Sequence, residues 1–116
     1  MEYNNDFKYD LLVGQHAENF LGQLLAGKKI EVKLDKLAHR TGRVFVEFES
    51  RGKPSGLATT QADYWCYILE GIGAVIVNTE RMKKVARQAL KKYGEKRGGD
   101  SNTSRGVLVE IGRLLK

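Results

Sequence analysis

Two short stretches decide how this chain is read: residues 30–35, Ile30-Glu31-Val32-Lys33-Leu34-Asp35, and residues 44–49, Val44-Phe45-Val46-Glu47-Phe48-Glu49. Both alternate apolar and polar residues with period two, the signature of a half-buried strand. In the first, Ile30, Val32 and Leu34 share one side while Glu31, Lys33 and Asp35 share the other. In the second, Val44, Val46 and Phe48 fall together, and Glu47 and Glu49 fall opposite them. A short polar loop with His39, Arg40, Thr41 and Gly42 joins the two. Strands so connected are expected to pair antiparallel.

Working outward, residues 10–26 carry Val13, Ala17, Phe20, Leu21, Leu24 and Leu25 at helical spacing, with Gly27 suited to the stop. Glu18 lies at the border of that apolar stripe. Downstream, residues 50–56 are turn chemistry, and Thr60 with Asp63 resembles a capping arrangement that opens a short helical turn. Residues 65–69 and 74–77 read as apolar strands around Gly71-Ile72-Gly73. Asn78 or Thr79 then caps a long helix with a stripe of Met82, Val85, Ala86, Ala89, Leu90 and Tyr93, ended by Gly94. Residues 95–106 read as a polar, mobile loop and residues 107–111 as an edge strand. This order implies an α/β sandwich: one domain over 1–116, its core at about 10–93, with a mixed central β-sheet flanked by α-helices.

The chain has 116 residues, 41% hydrophobic and 29% charged, which is globular rather than disordered composition. No apolar run approaches the ~20 residues that span a bilayer. The polar start Met1-Glu2-Tyr3-Asn4-Asn5-Asp6 is unlike a signal peptide, and a single cysteine, Cys66, excludes an internal disulfide. A cytoplasmic, reduced setting without membrane contact is therefore expected. The net charge is +6, and residues 81–97 place Arg81, Lys83, Lys84, Arg87, Lys91, Lys92, Lys96 and Arg97 against Glu95 alone. Such a surface suits a polyanion such as nucleic acid. A merely solvated helix face is the plain alternative.

Acids on strands lower β-propensity and repel one another, so Asp35, Glu47 and Glu49 need something to offset that cost. A hard divalent cation, Mg²⁺ or Mn²⁺, does so, and it can activate water at a phosphodiester. At these residues the chain resembles the PD-(D/E)XK nuclease superfamily, which places an acid on one strand and an acid-x-lysine pair on the next. Asp35 precedes Glu47 by twelve positions, Glu47-Phe48-Glu49 occupies the pair, and Glu18 stands on the preceding helix. The stretches Glu31-Val32-Lys33-Leu34-Asp35, Thr41-Gly42, Lys53-Pro54-Ser55-Gly56 and Ala62-Asp63-Tyr64-Trp65 resemble small stand-alone endonuclease-like proteins, several of them from phages. The resemblance covers roughly residues 10–93.

It implies a restriction-endonuclease-like fold and divalent-metal-dependent hydrolysis of DNA. Asp35, Glu47 and Glu49 would be metal ligands, with Glu49 alternatively orienting water. Lys33 or Lys53 would be the cation, Glu18 an outer carboxylate, and Arg40, Arg43, Arg51, Lys53, Lys83, Lys84 and Arg87 the DNA contacts. Glu49 departs from the pattern by replacing the usual lysine. That opens the alternative of a catalytically degenerate module that binds nucleic acid without cleaving it. An assembly protein with no nucleic-acid role is a third reading. A second register, in which Glu31-Val32-Lys33 is the acid-x-lysine pair, also stays open. Relatives acting on duplexes commonly work as homodimers, but no dimer patch is legible. His16, His39 and Cys66 are too scattered for structural zinc, and Trp65 and Tyr67 read as core rather than as base-stacking surfaces.

Overall fold

In a computed structural model, residues 15 and 18–116 are described; they form a mixed α/β globule with two sheets and four helices. Residues 18–25 are helical (α1). They are followed by β1 (Ile30–Asp35), α2 (Ala38–Thr41), β2 (Arg43–Ser50), β3 (Lys53–Pro54), β4 (Tyr64–Leu69), β5 (Gly73–Asn78), α3 (Thr79–Tyr93), β6 (Lys96–Gly98), β7 (Ser104–Glu110) and α4 (Ile111–Leu114). The expected helix over 10–26 lies partly outside the described residues. No helix among the described residues is long and apolar enough to cross a membrane.

The two alternating strands exist, but they do not pair with each other. β1 runs parallel to β4, with Val32 opposite Cys66 and Asp35 opposite Leu69, and β5 adds antiparallel to β4. β2 belongs to a separate four-stranded sheet of order β3-β2-β7-β6. The expected single central sheet is thus two sheets. The reason lies in the connection. Residues 38–41 close a helical turn instead of a hairpin, and Gly42 ends it at φ 71°, where a side chain would be strained.

Asp35 organises that connection. Its Oδ1 accepts the N–H groups of Leu37 and Ala38, both at 3.0 Å, satisfying donors that open the turn. Its Oδ2 accepts the Phe45 N–H at 2.9 Å, and the Tyr67 hydroxyl donates to the Phe45 carbonyl at 3.1 Å. The backbone groups of β2 at Phe45 that β1 would have taken are met by two side chains from the other sheet. This seam holds the sheets together.

The core lies between the sheets and α3. Val44, Val46, Val107 and Val109 from β2 and β7 meet Trp65, Tyr67, Val77, Met82, Val85 and Ala86, all buried. α3 starts where expected, with Asn78 Oδ1 accepting the N–H groups of Glu80 (2.8 Å) and Arg81 (3.4 Å). Gly94 ends it, its N–H donating to the Leu90 carbonyl. Its apolar stripe holds at Met82, Val85 and Ala86, whereas Leu90 and Tyr93 are exposed. Thr60 Oγ1 accepts the Ala62 N–H, but no helix follows; the short 3-10 turn is at Gly56–Ala58.

Residues 95–106 are not a featureless loop: β6, a 3-10 turn at Asp100–Asn102 and the start of β7 lie within them. β6 covers the outer side of β7 only over Ser104–Gly106; from Val107 to Glu110 that side is a sheet edge, as the sequence suggested. Polar composition hid β6, whose Lys96 and Arg97 are exposed at a sheet edge. Gly106 permits this arrangement: a Cβ there would sit 2.3 Å from the Val46 carbonyl oxygen and 2.7 Å from the Phe45 ring.

Asp35→Ala should destabilise the protein by about 2–4 kcal/mol, since three backbone donors lose a charged acceptor. Asp35→Asn should recover only part of this, because an amide cannot accept at both of its ends. Urea unfolding at unchanged slope checks both variants.

Candidate functional site

Each acid singled out in the sequence has partners of its own. Asp35 is engaged by three backbone N–H groups. Glu47 Oε2 accepts the Ser55 hydroxyl at 2.9 Å, and Ser55 is brought to it by the turn into Gly56, where a Cβ would lie 2.3 Å from the Glu47 carbonyl oxygen. Glu49 is bound by Arg105 Nη1 at 2.9 Å. Arg105 also pairs with Glu95 through both Nε and Nη2 and stands over the Phe48 ring.

Glu47 and Glu49 were expected to share a face. A β-bulge separates them: Glu47 registers with Gly106 and Glu49 with the adjacent Arg105. Neighbours on β7 point to opposite faces, so their partners do too. Phe48 is the extra residue, and single-strand alternation could not reveal it. Glu18 is exposed on α1.

The inner side of β1 carries a different set. Register places Glu31, Lys33 and Asp35 on the same side of their sheet as the buried Trp65 and Tyr67. β1 therefore turns its polar side toward the interior and its apolar side outward, the reverse of the usual arrangement for an alternating strand. Lys33 Nζ stands 5.8 Å from the Trp65 ring centre, a cation–π contact. Burial pushes the Tyr67 hydroxyl well above the ordinary tyrosine range, and the charges of Asp35, Glu31 and Glu47 push it the same way. The hydroxyl stays protonated, as its donation to Phe45 requires.

A second feature is cationic. α3 and α4 enclose a depression of about 190 Å³ lined by Arg81, Lys84, Val85, Gln88, Arg113 and Lys116. Four of these are cations and none is an acid. Arg81 Nη2 donates to the Arg113 carbonyl at 3.3 Å, fastening the C-terminal turn to the long helix. Among the described residues, none of these four cations lies within ion-pair distance of an acid.

Of the DNA contacts expected from sequence, Lys84 belongs to this depression. Lys83 pairs with Glu80 at 4.0 Å, and Lys83 and Arg87 border a separate apolar groove with Phe48 and Leu90. Arg40 and Arg43 are exposed at the start of β2. Arg51, in a left-handed turn at φ 52°, lines a shallow depression with Glu47 and Ser50, and Lys53 is exposed on β3. Sequence reasoning missed Arg113 and Lys116. They stand three apart after a strand, a helical spacing, but six residues were too few to read as a helix.

The donor set does not fit the expected magnesium trio. Asp35 Oδ1 already accepts two hydrogen bonds, Glu49 is neutralised by Arg105, and no three His, Cys, Asp or Glu side chains among the described residues are placed to share one ion. No family model, curated protein or solved structure matches the chain.

The raised Tyr67 pKa ties stability to alkaline pH. The stabilising difference is fully present below the unfolded-state value of about 10 and is lost as pH rises from there toward the folded-state value, because the unfolded chain releases the proton first. Absorbance titration should leave one of the five tyrosines protonated until the fold melts, and Tyr67→Phe should remove that component. A wild-type titration in which all the tyrosines ionise with the fold intact would contradict this assignment.

Proposed function

We propose that this protein binds nucleic acid, on a restriction-endonuclease-like scaffold whose acids have been taken into structural use. The observation that carries this reading is the acid-free cationic depression of Arg81, Lys84, Arg113 and Lys116 between α3 and α4. Phosphate recognition needs cations held at fixed spacing and not already neutralised by neighbouring acids. α3 supplies Arg81 and Lys84, α4 supplies Arg113 and the residues after it supply Lys116, and the exposed Arg87 and Lys91 extend the charge along α3. The PD-(D/E)XK resemblance supports DNA as the polymer and belongs to the proposal, as does the finer fold. Glu49 fits a binding role: it stands where the superfamily's lysine would be, and Arg105 holds it.

Binding to duplex DNA should weaken with salt, with a log–log slope of about −3 to −4 if four phosphates are neutralised. Lys84→Ala combined with Arg113→Ala should lower affinity roughly uniformly across sequences and reduce the magnitude of the slope by about 2. Fluorescence anisotropy from low to moderate salt measures both quantities. Binding insensitive to salt, or unchanged in the double variant, would remove this reading.

Divalent-metal-dependent cleavage of DNA is the second reading. It rests on the PD-(D/E)XK resemblance at Asp35 and Glu47, with Lys33 on the same side of β1 as Asp35. Incubating plasmid with Mg²⁺ or Mn²⁺ and comparing wild type with Glu47→Gln discriminates between the two. Cleavage lost in the variant supports hydrolysis; intact binding without cleavage by wild type leaves the binding role alone.

A further inference from the structure

The inverted β1 turns apolar side chains outward. Ile30, Val32 and Leu34 are 38%, 59% and 56% exposed, and Ile76 on β5 is 41% exposed. The strand registers set Val32, Cys66 and Ile76 side by side across the three strands, on the face opposite Trp65 and Tyr67; Cys66, between its two larger neighbours, is buried, and Val32 and Ile76 are exposed. A second apolar surface is open in the same chain. On α1, Phe20 is 65% and Leu21 is 48% exposed, with Leu24 on the same helical side. An isolated helix is marginal unless its apolar side is buried, and contiguous exposed apolar patches mark interaction sites.

The two surfaces are complementary in character and adjacent in sequence. α1 ends in a tight turn, with the Ala26 N–H donating to the Gly22 carbonyl and the Lys28 N–H to the Leu25 carbonyl. Gly27, at φ 68°, then leads directly into the edge strand of the β1-β4-β5 sheet. Lys29 is fixed at that point: its N–H donates to the Asp63 carboxylate, and its carbonyl accepts the Asp63 N–H. The connector is anchored at the sheet, while Phe20 and Leu21 of the helix are exposed and, among the described residues, α1 does not cover Val32 or Leu34.

We propose that the protein forms a twofold dimer by exchanging α1, so that the apolar side of each α1 covers the outer face of β1, β4 and β5 in the other copy. A second copy is the occupant the observations favour, because each chain offers both halves of the contact. A closed symmetric pair buries both, twice over, without leaving an open surface for further growth.

Sedimentation equilibrium or light scattering on the full chain tests the exchange. Wild type should be dimeric at micromolar concentration. Phe20→Glu and Val32→Glu, both at exposed positions outside the core, should each be monomeric with unchanged circular dichroism. Mixing the two variants should restore a heterodimer, because the Val32→Glu chain retains an intact helix and the Phe20→Glu chain an intact sheet face. Leu21→Glu and Leu34→Glu repeat the experiment at independent positions. A monomeric wild type at high concentration would overturn the proposal and indicate that α1 folds onto its own sheet. So would a dimer indifferent to both substitutions, or a mixture that fails to associate, which would point to symmetric sheet-to-sheet contact.

Discussion

A single carboxylate sets the relation between the two sheets. Asp35 stands at the end of β1 and accepts from Leu37, Ala38 and Phe45. Those three bonds turn the chain through α2 and tie β2, in its separate sheet, to the end of β1. The Tyr67 hydroxyl takes the companion carbonyl at Phe45. Buried backbone groups at a strand edge need partners, and these two side chains supply what a neighbouring strand would have supplied. Burial of Trp65 and Tyr67, and the inward turn of Glu31 and Lys33, follow from that seam.

The same seam separates structural charge from charge free for recognition. Asp35, Glu47 and Glu49 accept from the backbone, from Ser55 and from Arg105 respectively. The Glu95 carboxyl is held below its ordinary range, chiefly by its hydrogen bond to Arg105. On the far side of α3 the balance reverses: Arg81, Lys84, Arg113 and Lys116 face a depression with no acid in its lining. Charges already paired contribute little to long-range attraction, while a local excess of one sign steers a polyanion. The net charge of +6 is therefore less informative than where the unpaired cations lie.

Particular residues show how far the chain could be read in advance. The stripe of Met82, Val85 and Ala86, the Asn78 cap and the Gly94 stop were all legible, because helix signals are local. Both strands of acids were legible as strands for the same reason. What failed was pairing. Nothing within residues 30–35 distinguishes a strand that neighbours β2 from one that neighbours β4, and nothing in Val46-Glu47-Phe48-Glu49 announces that Phe48 bulges and turns Glu49 to the other face. β6 went unread because Lys96-Arg97-Gly98 is too short and too polar to register as a strand.

The amino-acid order by itself determined the α/β class, the long amphipathic helix, the alternation of the strands and the excess of positive charge, all set by neighbours within a few positions. Tertiary structure alone decided which side of β1 faces inward, which acids are engaged, and that Arg113 and Lys116 join Arg81 and Lys84 around one depression. The physical reason is range. Periodicity and capping are fixed within a helical turn or two, whereas strand partners, bulges and clusters of side chains distant in sequence depend on which long-range contacts together satisfy the buried backbone and fill the core.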